Sequence, residues 1–158
     1  MYRGKYFSSI DAESAQAIEI RKRIPEFDCG SDEHDDMAVY AVVYNDEDVP
    51  SGSARLYIDD DSCFRIDYIG VLPEQRHKYM GDLLARMLLY RAQELNCASI
   101  KAAVPKDLVY FFARYGLKAS SFGSPVVEMS APAEGIRLEG SCSKGNKGAC
   151  SGNCESCM

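Results

Sequence analysis

No apolar run in this chain approaches the ~20 residues that a membrane-spanning helix requires, although 46% of its residues are hydrophobic. A helical membrane span is therefore not expected. The opening stretch MYRGKYFSSIDAE lacks the basic-then-apolar pattern of a secretory signal. Basic residues are nearly missing from positions 26–61, where Arg55 stands alone against twelve of the 24 acidic residues. With a formal net charge of −6 the chain offers no concentrated basic surface, so nucleic acid is not an expected partner. Histidine is limited to His34 and His77, and nothing in the chain repeats. These absences leave a cytoplasmic protein as the expectation, and 158 residues suffice for one compact domain and hardly for two.

What is present has a clear order. KYFSSI reads as a first strand. Asp11 is the expected cap of a helix with apolar spacing at Ala17, Ile20 and Ile24, which Pro25 should end. An acidic loop follows. The run 37–45 is rich in β-branched and aromatic residues, the runs 51–59 and 63–72 alternate apolar with polar positions, and the three read as an antiparallel meander. Met80, Leu83, Leu84, Met87, Leu88, Ala92 and Leu95 then mark one apolar face of a long helix, interrupted by Arg91. A strand over NCASIKAAVP, a shorter helix over KDLVYFFARYG closed by Gly116, and a strand over SPVVEMSAP complete the globular part. The predicted fold is α/β, β-α-β-β-β-α-β-α-β, with a mixed, mainly antiparallel sheet flanked by helices and at least one parallel pair from the right-handed crossover. The domain is expected over 1–131, with a Cys/Gly/Ser-rich tail over 132–158.

The stretch VLPEQRHKYMGDLL joins a strand to the long helix through Arg76, His77 and Lys78. The first N–H groups of a helix lack intrahelical partners and carry partial positive charge. Gly81 would let an anion approach that backbone, with Arg76 or Lys78 adding charge. An ordinary strand-to-helix turn fits the same spacing.

With the meander, the strand end IGVLPEQR, the long amphipathic helix and FFARYGL, the chain from Lys5 to Ala131 resembles the GNAT acyltransferase superfamily. Arg76-His77-Lys78-Tyr79-Met80-Gly81 stands where that family carries Arg/Gln-x-x-Gly-x-Gly/Ala. The resemblance implies acetyl-CoA as cosubstrate and an amine of a small molecule or peptide as acceptor. It also implies that the loop from Arg76 to Asp82 binds the pyrophosphate, and that Ile69, Gly70 and Val71 hold the pantetheine arm and polarise the thioester carbonyl. A homodimer stays open. Four positions depart from the family pattern: Tyr79 replaces the first glycine, Asp82 brings negative charge beside the seat, and Pro105 stands where an Asn is common. At the fourth, Phe112, which the resemblance implies should line the cofactor site, stands where a tyrosine usually protonates the departing thiolate.

Attack by an amine calls for a base, because alkyl amines are largely protonated at neutral pH. Asp67, two residues before Ile69 and expected on its face, is the candidate; a solvated or salt-bridged strand residue is the other reading. Tyr110 is the candidate acid. The acidic segment 26–61 reads either as solvated loops or as a rim that attracts a cationic acceptor.

The tail sets Cys142, Cys150, Cys154 and Cys157 at C-x7-C-x3-C-x2-C spacing. Four thiolates on Gly/Ser-rich links suit zinc or an iron–sulfur cluster. A disulfide or free-thiol tail, or a catalytic cysteine, remains compatible with the same residues. A catalytically weak acyl-CoA-binding module with a metal or redox sensor tail is the alternative to an active enzyme.

Overall fold

A computed structural model of the protein describes residues 2–25, 27, 32–60, 63–122 and 126–138. Cys29 and the four tail cysteines lie outside the described residues. Among the described residues seven strands form one sheet: β1 Arg3–Ser8, β2 Val39–Tyr44, β3 Pro50–Asp60, β4 Cys63–Val71, β5 Ser99–Pro105, β6 Lys118–Phe122 and β7 Val126–Pro132. The helices are α1 Ser14–Arg23, α2 Met80–Glu94 and α3 Val109–Ala113. Strand order is β1-β2-β3-β4-β5-β7-β6, antiparallel throughout except for the β4–β5 pair. The mixed, mainly antiparallel sheet flanked by helices is the fold expected from the sequence.

Alternation along β2 divides the interior. Tyr40, Val42 and Tyr44 face α1 with Ala17, Ile20 and Ile24, whereas Ala41 and Val43 face the other side with Leu84, Leu88 and Leu89 of α2. Phe112 and Tyr115 close that larger core beneath β5 and β7. Truncating a residue such as Leu88, fully buried, would cost about 2–5 kcal/mol.

Several local expectations are corrected. Helix α1 starts at Ser14 with Glu13 at its cap and no side-chain bond there; Asp11 instead accepts the Ser8 N–H at 2.7 Å, closing the turn before the helix. Leu95 falls past the end of α2 and is exposed, because the apolar stripe ends at Ala92. Arg91 survives on that stripe by laying its guanidinium over the Tyr6 ring, 5.3 Å from the centroid. An additional strand, β6, precedes the last one at the sheet edge, and its sequence KASSF carries too little apolar alternation to announce it. The packed chain also continues past residue 131: Ile136 is buried in the core, and the Arg137 N–H donates to the Tyr115 carbonyl at 2.8 Å. That passage requires Gly116, whose φ is +94° and where any Cβ would strike the Gly135 carbonyl.

Candidate active site

Strands β4 and β5 part company halfway. They pair only over Cys63–Ile66 and Ser99–Ala102. Beyond that, β4 stays bonded to β3 as far as Val71, and β5 stays bonded to β7 as far as Pro105. Among the described residues no strand fills the gap between them. Its origin is a bulge. The pairs Arg55–Asp67 and Ser53–Gly70 leave one extra residue on β4, and Tyr68 adopts the left-handed region with φ +47°.

The bulge also reverses side-chain alternation. Asp67 lies on the α1 face, opposite Arg55, while Ile69 and Val71 pack against the α2-side core. The expectation that Asp67 and Ile69 share a face is thereby corrected. Leu72 N–H donates to Ser51 C=O at 2.8 Å, so backbone groups at Leu72 and Gly70 face β3, and those of Val71 and Ile69 face the gap. Consistently, the Val71 carbonyl accepts from Arg76 Nε at 3.0 Å. Gly70 has no room for a side chain, because a Cβ would come within 2.8 Å of Ile24 Cδ1 and 2.9 Å of Phe27 Cζ.

The mouth of α2 opens beside this gap. His77 and Tyr79 both take φ +65°, and Tyr79, at the helix cap, makes no side-chain capping bond. Left-handed residues alternating with others curl a backbone into a concave shape that suits anions. Tyr79 therefore reaches the curl that glycine normally supplies, at a strain of about 1–2 kcal/mol, with its ring exposed. His77 and Lys78 are exposed and Arg76 is half-buried, so the rim is basic. Met80 is buried and anchors the first turn. A Cβ built on Gly81 meets nothing within 4 Å. Neither packing nor backbone angle demands glycine there, and space is left for a ligand at the amide surface. The residues present thus fit a diphosphate.

Asp82 does not face this mouth. Its carboxylate accepts from Arg86 Nε, one turn further along α2, at 2.9 Å. It also accepts a hydrogen bond from the buried Tyr115 hydroxyl, and Arg114 Nη2 lies 3.8 Å away. Phe112 is wholly buried, in edge contact with Phe111, and Tyr110 is 86% exposed on α3.

On the α1 face, Arg55 anchors a cluster that sequence reasoning missed. It is 2% exposed and bonds Asp67 through Nε and Nη2, each at 2.7 Å. Its other contacts are Asp32 at 2.5 Å and Asp35 at 3.0 Å. Arg21, also buried, holds Asp35 at 2.8 and 3.1 Å, and Tyr40 donates to the same carboxylate at 2.6 Å. Both guanidinium groups lie over Tyr68, at 4.5 and 4.8 Å. Burial alone would raise the Asp35 carboxyl, but hydrogen bonds from Arg21, Tyr40, the Asp32 N–H and Arg55 outweigh it and hold it well below the usual carboxylate range. The Arg55 hydrogen bond likewise lowers Asp32. Part of the acidic segment is thus internal counter-charge. The available signal was Arg55 itself, the single basic residue among twelve acids in 26–61. Among the described residues no group of His, Cys, Asp and Glu could hold a metal ion.

Residues 6–116 match the Acetyltransferase (GNAT) family. The chain belongs to that family. Similar solved structures include an acyl-CoA N-acyltransferase from Pseudomonas aeruginosa, with TM-score 0.70, 16% identity, and coverage of 82% of this chain and 99% of that one. A GNAT-family acetyltransferase from Staphylococcus aureus superposes with TM-score 0.64 at 12% identity, covering 83% and 99%. The PaiA N-acetyltransferase of Thermoplasma acidophilum, solved with coenzyme A, gives TM-score 0.64 at 12% identity, covering 84% and 99%. No curated protein sequence matches significantly. At these identities the structural likeness establishes the GNAT fold, and none of the helices described is long and apolar enough to cross a membrane.

Proposed function

We propose that this GNAT protein is a cytoplasmic N-acetyltransferase that moves an acetyl group from acetyl-CoA to an amine of a small molecule or peptide. One observation carries the reading: the splayed ends of β4 and β5 lie beside an uncapped, left-handed-curled mouth of α2 with open space over Gly81.

In this reading the amides from Arg76 to Asp82 hold the diphosphate, and Arg76 and Lys78 supply charge. Backbone groups of Ile69 and Val71 at the gap hold the pantetheine arm and polarise the thioester carbonyl, with Gly70 keeping α1 close to the strand. The amine nitrogen forms its bond to the carbonyl carbon while the carbon–sulfur bond breaks. Asp67 has both oxygens committed to Arg55, and each oxygen retains accepting capacity for an amine proton or an ordered water. Because the Phe112 ring has no hydroxyl and Tyr110 faces solvent, the departing thiolate takes its proton from water. Around Arg55 and Arg21, the three carboxylates of Asp32, Asp35 and Asp67 outnumber the two guanidinium groups, which favours a cationic acceptor.

The test is an acceptor screen that follows thiol release from acetyl-CoA, paired with a thermal shift. A ligand that binds only the folded state must raise the melting temperature. Stabilisation with turnover of an amine supports the enzyme. Stabilisation without turnover across amine classes would favour an acyl-CoA-binding module, for which the missing tyrosine at Phe112 argues. The tail cysteines retain their reading as a zinc or iron–sulfur site, which metal analysis of the wild type and of Cys150→Ser would decide.

A further inference from the structure

The first turn of α2 contains a charge that works against the ligand it is proposed to bind. Asp82 is the third residue of the helix, within the region where the backbone dipole favours anions. A carboxylate there suits the bare helix, but it competes with an incoming diphosphate for the same field. Its side chain is nonetheless swung along the flank of α2 toward Arg86. Of the three partners named for it among the described residues, Arg86 is 41% and Arg114 26% exposed, and an exposed i,i+4 pair restrains a carboxylate only weakly. Tyr115 differs from both. It is 1% exposed, packed in the main core and held in the turn that follows α3, apart from α2, so its hydroxyl cannot follow the carboxylate if that moves.

We infer that Tyr115 is a positioning residue whose buried hydroxyl pins the Asp82 carboxylate to the flank of α2 and so keeps negative charge off the diphosphate-binding mouth. The proposal rests on the acetyl-CoA reading above and assigns work to a tyrosine that neither touches substrate nor supplies a proton. It also explains how an aspartate is tolerated one residue after Gly81. The backbone can serve an anion because the side chain is held elsewhere.

Tyr115→Phe removes the hydroxyl and keeps the ring. Calorimetric titration with acetyl-CoA should then show binding weakened roughly two- to tenfold, the range when a unit charge already present moves from about 8 to about 5 Å of another, between water-like and near-surface screening. Acetyl-pantetheine, which lacks the diphosphate, should bind wild type and Tyr115→Phe equally. Tyr115→Phe combined with Asp82→Asn should recover acetyl-CoA affinity, because the charge is gone, while the melting temperature stays at that of the single variant or below. Equal weakening for acetyl-CoA and acetyl-pantetheine would overturn the inference, as would failure of the double variant to recover, since either would make Tyr115 a packing residue only. Wild-type protein that binds neither compound would instead overturn the acetyl-CoA reading itself, and the inference with it.

Discussion

Asp67 and Arg55 face each other across the β3–β4 ladder, joined by two hydrogen bonds of 2.7 Å. The pair fastens the strand at the bulge where β4 leaves β5, and through Asp32 and Asp35 it fastens the chain ahead of β2 to the same point. Replacing Arg55 by methionine keeps the stem and removes the fork. Asp35, 8% exposed, would lose one of its two guanidinium partners and keep Arg21, Tyr40 and the Asp32 N–H, while Asp67 loses both of its bonds to Arg55; removing one partner of a buried ion group costs about 3–5 kcal/mol. Urea melts of Arg55→Met should show that loss. A variant as stable as wild type would mean that the cluster does not hold the strands together.

Acid should weaken the fold by the same route. Asp35 and Asp32 are held below their ordinary values in the folded chain, so they bind protons more readily when unfolded. Their contribution is complete above the unfolded carboxylate value of about 3.9 and is lost as pH falls through the lower folded values. Melting temperature should stay level from pH 7 to 5 and drop steadily from pH 4 to 3. Asp35→Asn should show a shallower drop. An unchanged melting temperature at pH 3 would contradict the burial and pairing of these groups.

Gly81 separates ligand binding from stability. A Cβ there meets open space, and alanine is favoured over glycine inside a helix by about 1 kcal/mol. Gly81→Ala should melt at the wild-type temperature or above, and Gly81→Leu should bind acetyl-CoA at least tenfold more weakly in calorimetric titration. Full affinity in Gly81→Leu would place the diphosphate elsewhere.

The aromatic residues of α3 can be tested for proton donation. Tyr110 is 86% exposed, and Tyr110→Phe should retain kcat within twofold with the same pH profile. A tenfold fall that removes the alkaline limb would make Tyr110 the acid. Phe112 is fully buried, so Phe112→Tyr places a hydroxyl in the core at a cost of about 1–3 kcal/mol, which thermal melts would register.

Much of the frame was legible in the sequence because it rests on local periodicity. The apolar stripe from Met80 to Ala92, the alternating meander and the stop at Pro25 each follow from residues a few positions apart. The loop from Arg76 to Gly81 was readable for the same reason, since its charges and its glycine adjoin the helix they serve. Strand β6 was not, because KASSF gains its place from pairing with β7 rather than from its own pattern.

Taken alone, the chain's order of residues determined the strands of the meander, the long helix and the place of its basic mouth, since hydrophobic spacing and backbone chemistry act over short range. Tertiary structure alone decided that Tyr68 bulges and sends Asp67 to the α1 face, that Arg55 collects carboxylates 23, 20 and 12 residues away, and that Tyr115 turns Asp82 aside. A single extra residue in a ladder, or an ion pair between distant segments, leaves no periodic trace, and its geometry is settled only when the sheet and helices pack.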